Sequence, residues 1–166
     1  MGPRLCGLQL QGVAIIELTV NGTPVQWAGE GNVPLLYILR NDLDLKGAKL
    51  ACGLEQCGAC KVLVDGCAVP SCRLPVEQVQ GQQVVTVEGL GGQELHPVQR
   101  AFIAENAAQC GYCTAGMVVA AKALLDRVAR PTEQQIREEL RVHLCRCGVY
   151  GRVIKAVQRA AEEMGG

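Results

Sequence analysis

Ten cysteines in 166 residues constrain this chain more than any other feature; they fall at positions 6, 52, 57, 60, 67, 72, 110, 113, 145 and 147. With only one Trp, three Tyr and one Phe beside them, the unusual residues of the chain are concentrated in sulfur. Two chemistries use cysteine at this density, disulfide bonding and thiolate ligation of metal. A disulfide framework suits small secreted chains that cannot bury a sufficient core. Here 49% of residues are hydrophobic and 19% charged, which is ample for a core. From Met1 to Ile16 the only basic residue is Arg4, and Gly7, Gln9, Gln11 and Gly12 break the apolar run. That stretch is a poor signal sequence and reads as a cytoplasmic start with a loose leader. Metal ligation is therefore the better reading of the thiols.

Composition excludes other classes. Sixteen basic and sixteen acidic side chains cancel, and without a Lys/Arg-rich run the electrostatic footprint of a nucleic-acid binder is missing. No window approaches the roughly 18 apolar residues of a spanning helix. The expectation is a soluble globular protein of one ordinary or two small domains, with little room for a large substrate pocket.

Hydrophobic period divides the chain. Ile15 to Val20, the Asn21-Gly22 turn and Pro24 to Trp27 predict a hairpin. Leu36, Leu39 and Leu43, after Pro34, predict a short helix. Lys61 to Val64, Asp65-Gly66 and Cys67 to Ser71 predict a second hairpin, and Val84 to Val87 a further strand. Past Gly89-Leu90-Gly91-Gly92 the period changes from two to about 3.6. Four helices are expected there: His96 to Ala107; one striped by Met117, Ala121, Leu124, Leu125 and Val128, ended by Arg130-Pro131; one capped by Thr132 and Gln135 and carrying Ile136 and Leu140; and Val149 to Glu163, with Val153, Ile154 and Val157. The reading is α+β, with domains over 14–90 and 93–163.

Cys52, Cys57 and Cys60 form a C-x4-C-x2-C run completed by the more distant Cys72, the spacing of plant-type [2Fe–2S] ferredoxins. A cluster held largely by one loop needs backbone that curls round it with N–H groups pointing inward, and Gly53, Gly58 and Ala59 are small enough to allow this. Zinc is the competing ligand for four cysteines, although zinc ribbons pair two short knuckles. Cys110-Gly111-Tyr112-Cys113 alone would also suit a redox dithiol. Together with Cys145-Arg146-Cys147 it makes a second four-thiolate site more economical, each pair lying at a predicted helix terminus where N–H groups favour negative charge.

These motifs resemble the iron–sulfur subunits of the xanthine oxidase family of molybdenum hydroxylases, which include the small subunits of isoquinoline and nicotinate dehydrogenases. The likeness runs from Asn21-Gly22 through Cys52 to Cys60, Gln109 to Met117 and Leu144 to Gly148. It implies an N-terminal ferredoxin-like β-grasp domain followed by an all-α four-helix-bundle domain, each with one [2Fe–2S] cluster. It implies further that the cluster of Cys110, Cys113, Cys145 and Cys147 lies nearest the molybdopterin of a large catalytic partner subunit, with Gln109 and Cys147 close to the pterin. Electrons would then pass to the cluster of Cys52, Cys57, Cys60 and Cys72 and leave to FAD, a cytochrome or another acceptor, FAD residing in a partner subunit. No catalytic residue is expected on this chain.

The chain departs from the family pattern at Glu55, where a glycine is usual, and at Lys61, where a threonine is common. A carboxylate beside a cluster disfavours the reduced state, which Lys61 would partly offset. The Cys145-Arg146-Cys147-Gly148 ending is more like the two-subunit, flavin-free branch. Cys6 and Cys67 read as free thiols outside both sets. His96 and His143 could replace thiolates as in Rieske centres, which eight well-placed cysteines make unnecessary. Arg146 is either a tuning charge or a solvated side chain, Tyr112 reads as packing, and Met117 and Val118 as core. The alternative functions are a free-standing ferredoxin-like carrier, which would need only the first half, and a zinc-stabilised interaction module. An obligate subunit should also expose apolar surface on its helical half.

Overall fold

A computed structural model describes residues 14–165; the expectations for the leader and for Cys6 lie outside that range. β1 (Ala14–Val20) and β2 (Thr23–Gly29) pair antiparallel about Asn21-Gly22, both with positive φ, as a tight hairpin turn requires. β3 (Lys61–Val64) and β4 (Cys67–Pro70) form the second hairpin, and β5 (Gln83–Val85) joins the two. The sheet order is β2-β1-β5-β3-β4, with β5 parallel to β1 and antiparallel to β3. β5 ends earlier than its β-branched sequence suggests. The Asn21 side chain accepts the Thr86 N–H at 2.9 Å and donates to the Thr86 hydroxyl at 3.0 Å, which takes Thr86 out of the ladder.

The expected short helix is α1 (Leu35–Tyr37), which runs on into a π-helical turn at Ile38–Asp42. Leu35, Leu36, Ile38 and Leu39 are fully buried against Ile16, Leu18, Val62 and Val84. Cys60 and Cys72 belong to this same core, so one side of the first cysteine set is built into the sheet's hydrophobic interior.

Four α-helices follow among the described residues: α2 (Pro97–Ala104), α3 (Thr114–Arg127), α4 (Glu133–Glu139) and α5 (Tyr150–Gly165). Thr132 and Gln135 cap α4 reciprocally as the sequence predicts, and His96 does the same for α2 with Gln99. α3 stops at Arg127, with Val128 extended beyond it. Nine of its fourteen residues are buried, a wider face than the expected stripe. The reason is that α3 has two partners: Met117, Ala121 and Leu124 face the helical core, while Val119 and Ala123 pack on Leu63 of β3. α3 therefore joins the two halves. Among the described residues no helix is long and apolar enough to cross a membrane.

Candidate metal centres

The loop from Cys52 to Cys60 leads into β3 with left-handed backbone at Gly53, Glu55 and Gly58. These reversals turn amide groups inward, so that the N–H groups of Leu54 and Gln56 donate to the Cys52 sulfur at 3.3 and 3.4 Å. Glu55 stands in this strained region although glutamate has a Cβ, and it is exposed. Cys57 and Cys60 are buried, and Cys72 joins them from beyond β4. Ser71 fixes that approach, its hydroxyl donating to the Cys60 carbonyl at 2.7 Å.

In the helical half Cys113 occupies the N-cap position of α3, and the Cys145–Cys147 segment immediately precedes α5. The thiols converge two by two. Cys52 lies within hydrogen-bonding reach of Cys57, Cys60 of Cys72, Cys110 of Cys147 and Cys113 of Cys145. In the helical half each close pair thus takes one thiol from each motif, which spacing alone does not disclose. Among the described residues no three His, Cys, Asp or Glu side chains converge on a single ion position.

Electrostatics divide the pairs. Burial, together with the Cys72 thiol, pushes Cys60 up to about 12, and burial with the Cys145 thiol does the same to Cys113. Burial also works to raise Cys52, but the Leu54 N–H, the Cys57 thiol and the Gln56 and Cys57 N–H groups outweigh it and bring Cys52 down to about 7. Cys145 is lowered in the same way, the Val149 N–H and the Cys113 thiol overcoming desolvation. Two sulfurs this close cannot both be thiolates without a cation between them. Such a donor set fits iron, for which thiolates are the usual ligands in iron–sulfur clusters.

The two sets face each other across an apolar cavity of about 320 Å³, walled by Ala51, Cys52 and Cys57 on one side and by Cys110, Cys113 and Cys145 on the other. Two hydrogen bonds cross between the ligand loops: Leu144 N–H to the Cys57 carbonyl at 3.1 Å, and the Tyr112 hydroxyl to the Leu50 carbonyl. Tyr112 is therefore a tie between the halves rather than core packing, and it is 46% exposed. Gln109 is exposed beside Cys110, and Cys147 is half-buried. Arg146 lines the cavity. Cys67 is exposed at the start of β4, and His96 serves as a helix cap, its Nδ1 accepting from Val98 N–H.

His143 is the residue that sequence reasoning undervalued. It is 1% exposed, neither ring nitrogen has a hydrogen-bond partner, and the ring presses on Gly58 of the first loop. Nothing in the sequence separates it from a surface histidine. Burial, aided by the charge of Lys61, pushes it down to about 4. The unfolded chain, with an ordinary value near 6.5, then binds the proton first. Stability should be complete above pH 6.5 and fall by on the order of 3 kcal/mol as pH drops toward 4. His143→Leu is expected to flatten that part of the profile in urea denaturation; an unchanged slope would mean that another group is responsible.

Residues 18–88 match the 2Fe-2S iron-sulfur cluster binding domain, and residues 86–158 match the [2Fe-2S] binding domain. The chain is 54% identical over 148 residues to the A subunit of nicotinate dehydrogenase from Pseudomonas putida, covering 89% of this chain and 94% of that one. It is 47% identical over 150 residues to the alpha subunit of isoquinoline 1-oxidoreductase from Brevundimonas diminuta, covering 90% and 99%. The crystal structure of quinoline 2-oxidoreductase from Pseudomonas putida 86 superposes with a TM-score of 0.86 at 35% identity, covering 92% of this chain and 96% of that one. Paired thiols in both halves, two [2Fe–2S] domain matches and relatives aligned over nearly their whole length lead to one conclusion: the chain belongs to the small iron–sulfur subunits of the xanthine oxidase family of molybdenum hydroxylases, as an electron-transfer member of an oxidoreductase complex.

Proposed function

We propose that Cys52, Cys57, Cys60 and Cys72 hold one [2Fe–2S] cluster and Cys110, Cys113, Cys145 and Cys147 a second, in a β-grasp sheet and a four-helix bundle respectively. The observation that carries this is the convergence of the thiols in four pairs, the donor arrangement needed when two irons each take two thiolates. Bound there, the clusters supply a one-electron relay between the molybdopterin of a large catalytic partner and an acceptor such as FAD or a cytochrome.

The protein's own part is to place and tune them. The Leu54 and Gln56 N–H groups hold negative charge on Cys52. The Leu144 N–H to Cys57 carbonyl bond links the two ligand loops directly, beside the largely apolar cavity that lies between them. Gln109 and Cys147, at the surface of the helical half, face the pterin in this reading. Leu144 at 67% exposure, with the exposed Val142 and Tyr150 nearby in the chain and the exposed Tyr112 lining the same cavity, supplies the apolar surface of a subunit contact. The complex works in the cytoplasm, or in the periplasm if its partner is exported.

The test is iron and acid-labile sulfide per chain, electron paramagnetic resonance of the dithionite-reduced protein, and metal analysis of the co-purifying partner. About four irons, two distinct signals and molybdenum are expected; about two irons with one signal would leave a ferredoxin-like carrier, and zinc without colour would overturn the redox reading.

Glu55 gives a further expectation. Glu55→Gln keeps the strained backbone but removes a negative charge from the Cys52 loop. It should raise the midpoint potential of the sheet-half cluster by roughly 20 mV in a redox titration followed by resonance, with the other cluster unmoved. Equal shifts in both clusters would place the effect elsewhere.

A further inference from the structure

Tyr150 opens α5 three residues beyond Cys147. Its phenol oxygen accepts the Cys145 N–H at 2.7 Å and donates to the His143 carbonyl at 3.0 Å. The two bonds bracket Leu144, whose own N–H reaches across to the Cys57 carbonyl at 3.1 Å. A single hydroxyl thus fixes both peptide units flanking the residue that joins the two ligand loops.

We propose that Tyr150 is a positioning residue for the helical-half cluster: its hydroxyl latches the 143–145 segment, orients the Cys145 thiol and holds the Leu144 N–H on Cys57. The inference rests on the ligand assignment proposed above. A phenol can donate and accept at once, so no other side chain is needed to close this latch. The latch also has an electronic consequence. The Cys145 N–H is engaged by Tyr150 and so withheld from sulfur, whereas N–H donors to cluster sulfurs favour the reduced state and raise the potential. Among the described residues the ring shares the walls of a cavity of about 170 Å³ with Leu140, Leu144 and Ile154, so phenylalanine can keep the ring in place and lose only the two hydrogen bonds.

The test compares wild type, Tyr150→Phe and Ile154→Val as the full complex, in a redox titration followed by electron paramagnetic resonance, with the helical-half signal assigned through a Cys113→Ala variant. Tyr150→Phe should shift the g values of the helical-half cluster and move its midpoint potential upward, leaving the sheet-half signal in place. Ile154→Val, which alters packing around the ring but not the hydrogen bonds, should match wild type. If Tyr150→Phe alone sheds the helical-half cluster, the latch is supported in its strongest form. Spectra and potentials of Tyr150→Phe identical to wild type would overturn it, as would the same change or the same iron loss in Ile154→Val. A wild-type complex with only one cluster signal would instead overturn the ligand assignment, and the latch with it.

Discussion

Gly116→Ala should lower the stability of the protein by about 2 kcal/mol and its thermal midpoint by roughly 4–8 °C, although alanine is the better helix former. A Cβ at residue 116 would fall far inside van der Waals contact of the Gly58 carbonyl oxygen and 3.2 Å from the Ala59 Cα. Those are backbone atoms of the first cysteine loop, held by the Lys61 N–H to Gly58 carbonyl bond at 3.1 Å, so they cannot swing aside as a side-chain end would. Overpacking of this kind costs about 1–3 kcal/mol and more against fixed atoms, from which about 1 kcal/mol of gained helix propensity is subtracted. The His143 ring also presses on Gly58, occupying the space that a Cβ there would need. The loop is therefore clamped between α3 and the segment leading to Cys145, and forcing it outward should also weaken the sheet-half resonance signal. Gly151 is the control: it lies in α5, and a Cβ added there would meet nothing within 4 Å, so Gly151→Ala should stabilise by up to about 1 kcal/mol. A Gly116→Ala protein melting at or above the wild-type temperature would refute the clamp.

Cys113→Ala should abolish one of two reduced [2Fe–2S] signals and reduce iron from about four to about two per chain. Cys113 is the thiol of its set most strongly tied to protein structure: it is 8% exposed, belongs to the helical core and stands at the N-cap of α3. The sheet-half cluster should survive, because Cys60 and Cys72 belong to a separate core cluster. On the proposed relay, turnover with the physiological acceptor should fall to background while molybdenum remains in the partner, because electrons need both clusters to cross this chain. Cys67→Ala, at an exposed position outside the thiol pairs, should leave iron, signals and turnover unchanged. Retention of both signals with about four irons in Cys113→Ala would remove that residue from the ligand set.

The hairpins at Asn21-Gly22 and Asp65-Gly66, the Thr132–Gln135 capping box and the apolar faces of α3 and α5 were legible because local backbone preference and periodicity decide them. Other features were not, each for a physical reason. β5 is shorter than its β-branched run because Asn21, sixty-five positions away, captures Thr86. α3 is buried on more than a stripe because it has to cover a sheet as well as helices. Tyr112 looked like packing because the carbonyl it binds, Leu50, lies in the other half.

Cysteine spacing, turn residues and periodicity indicated the α+β class, a change of period near residue 90 and eight candidate ligands, because turns, caps and the close cysteine motifs depend on neighbours a few residues apart. Which thiol faces which was decided only in three dimensions, where Cys110 meets Cys147 and Cys113 meets Cys145 across the motifs. The same holds for the clamp of His143 and Gly116 on Gly58, the Leu144 bridge to Cys57 and the latch of Tyr150. These contacts join segments distant in the chain, and no local rule encodes them: they exist because α3 packs on β3 and brings the two ligand loops face to face.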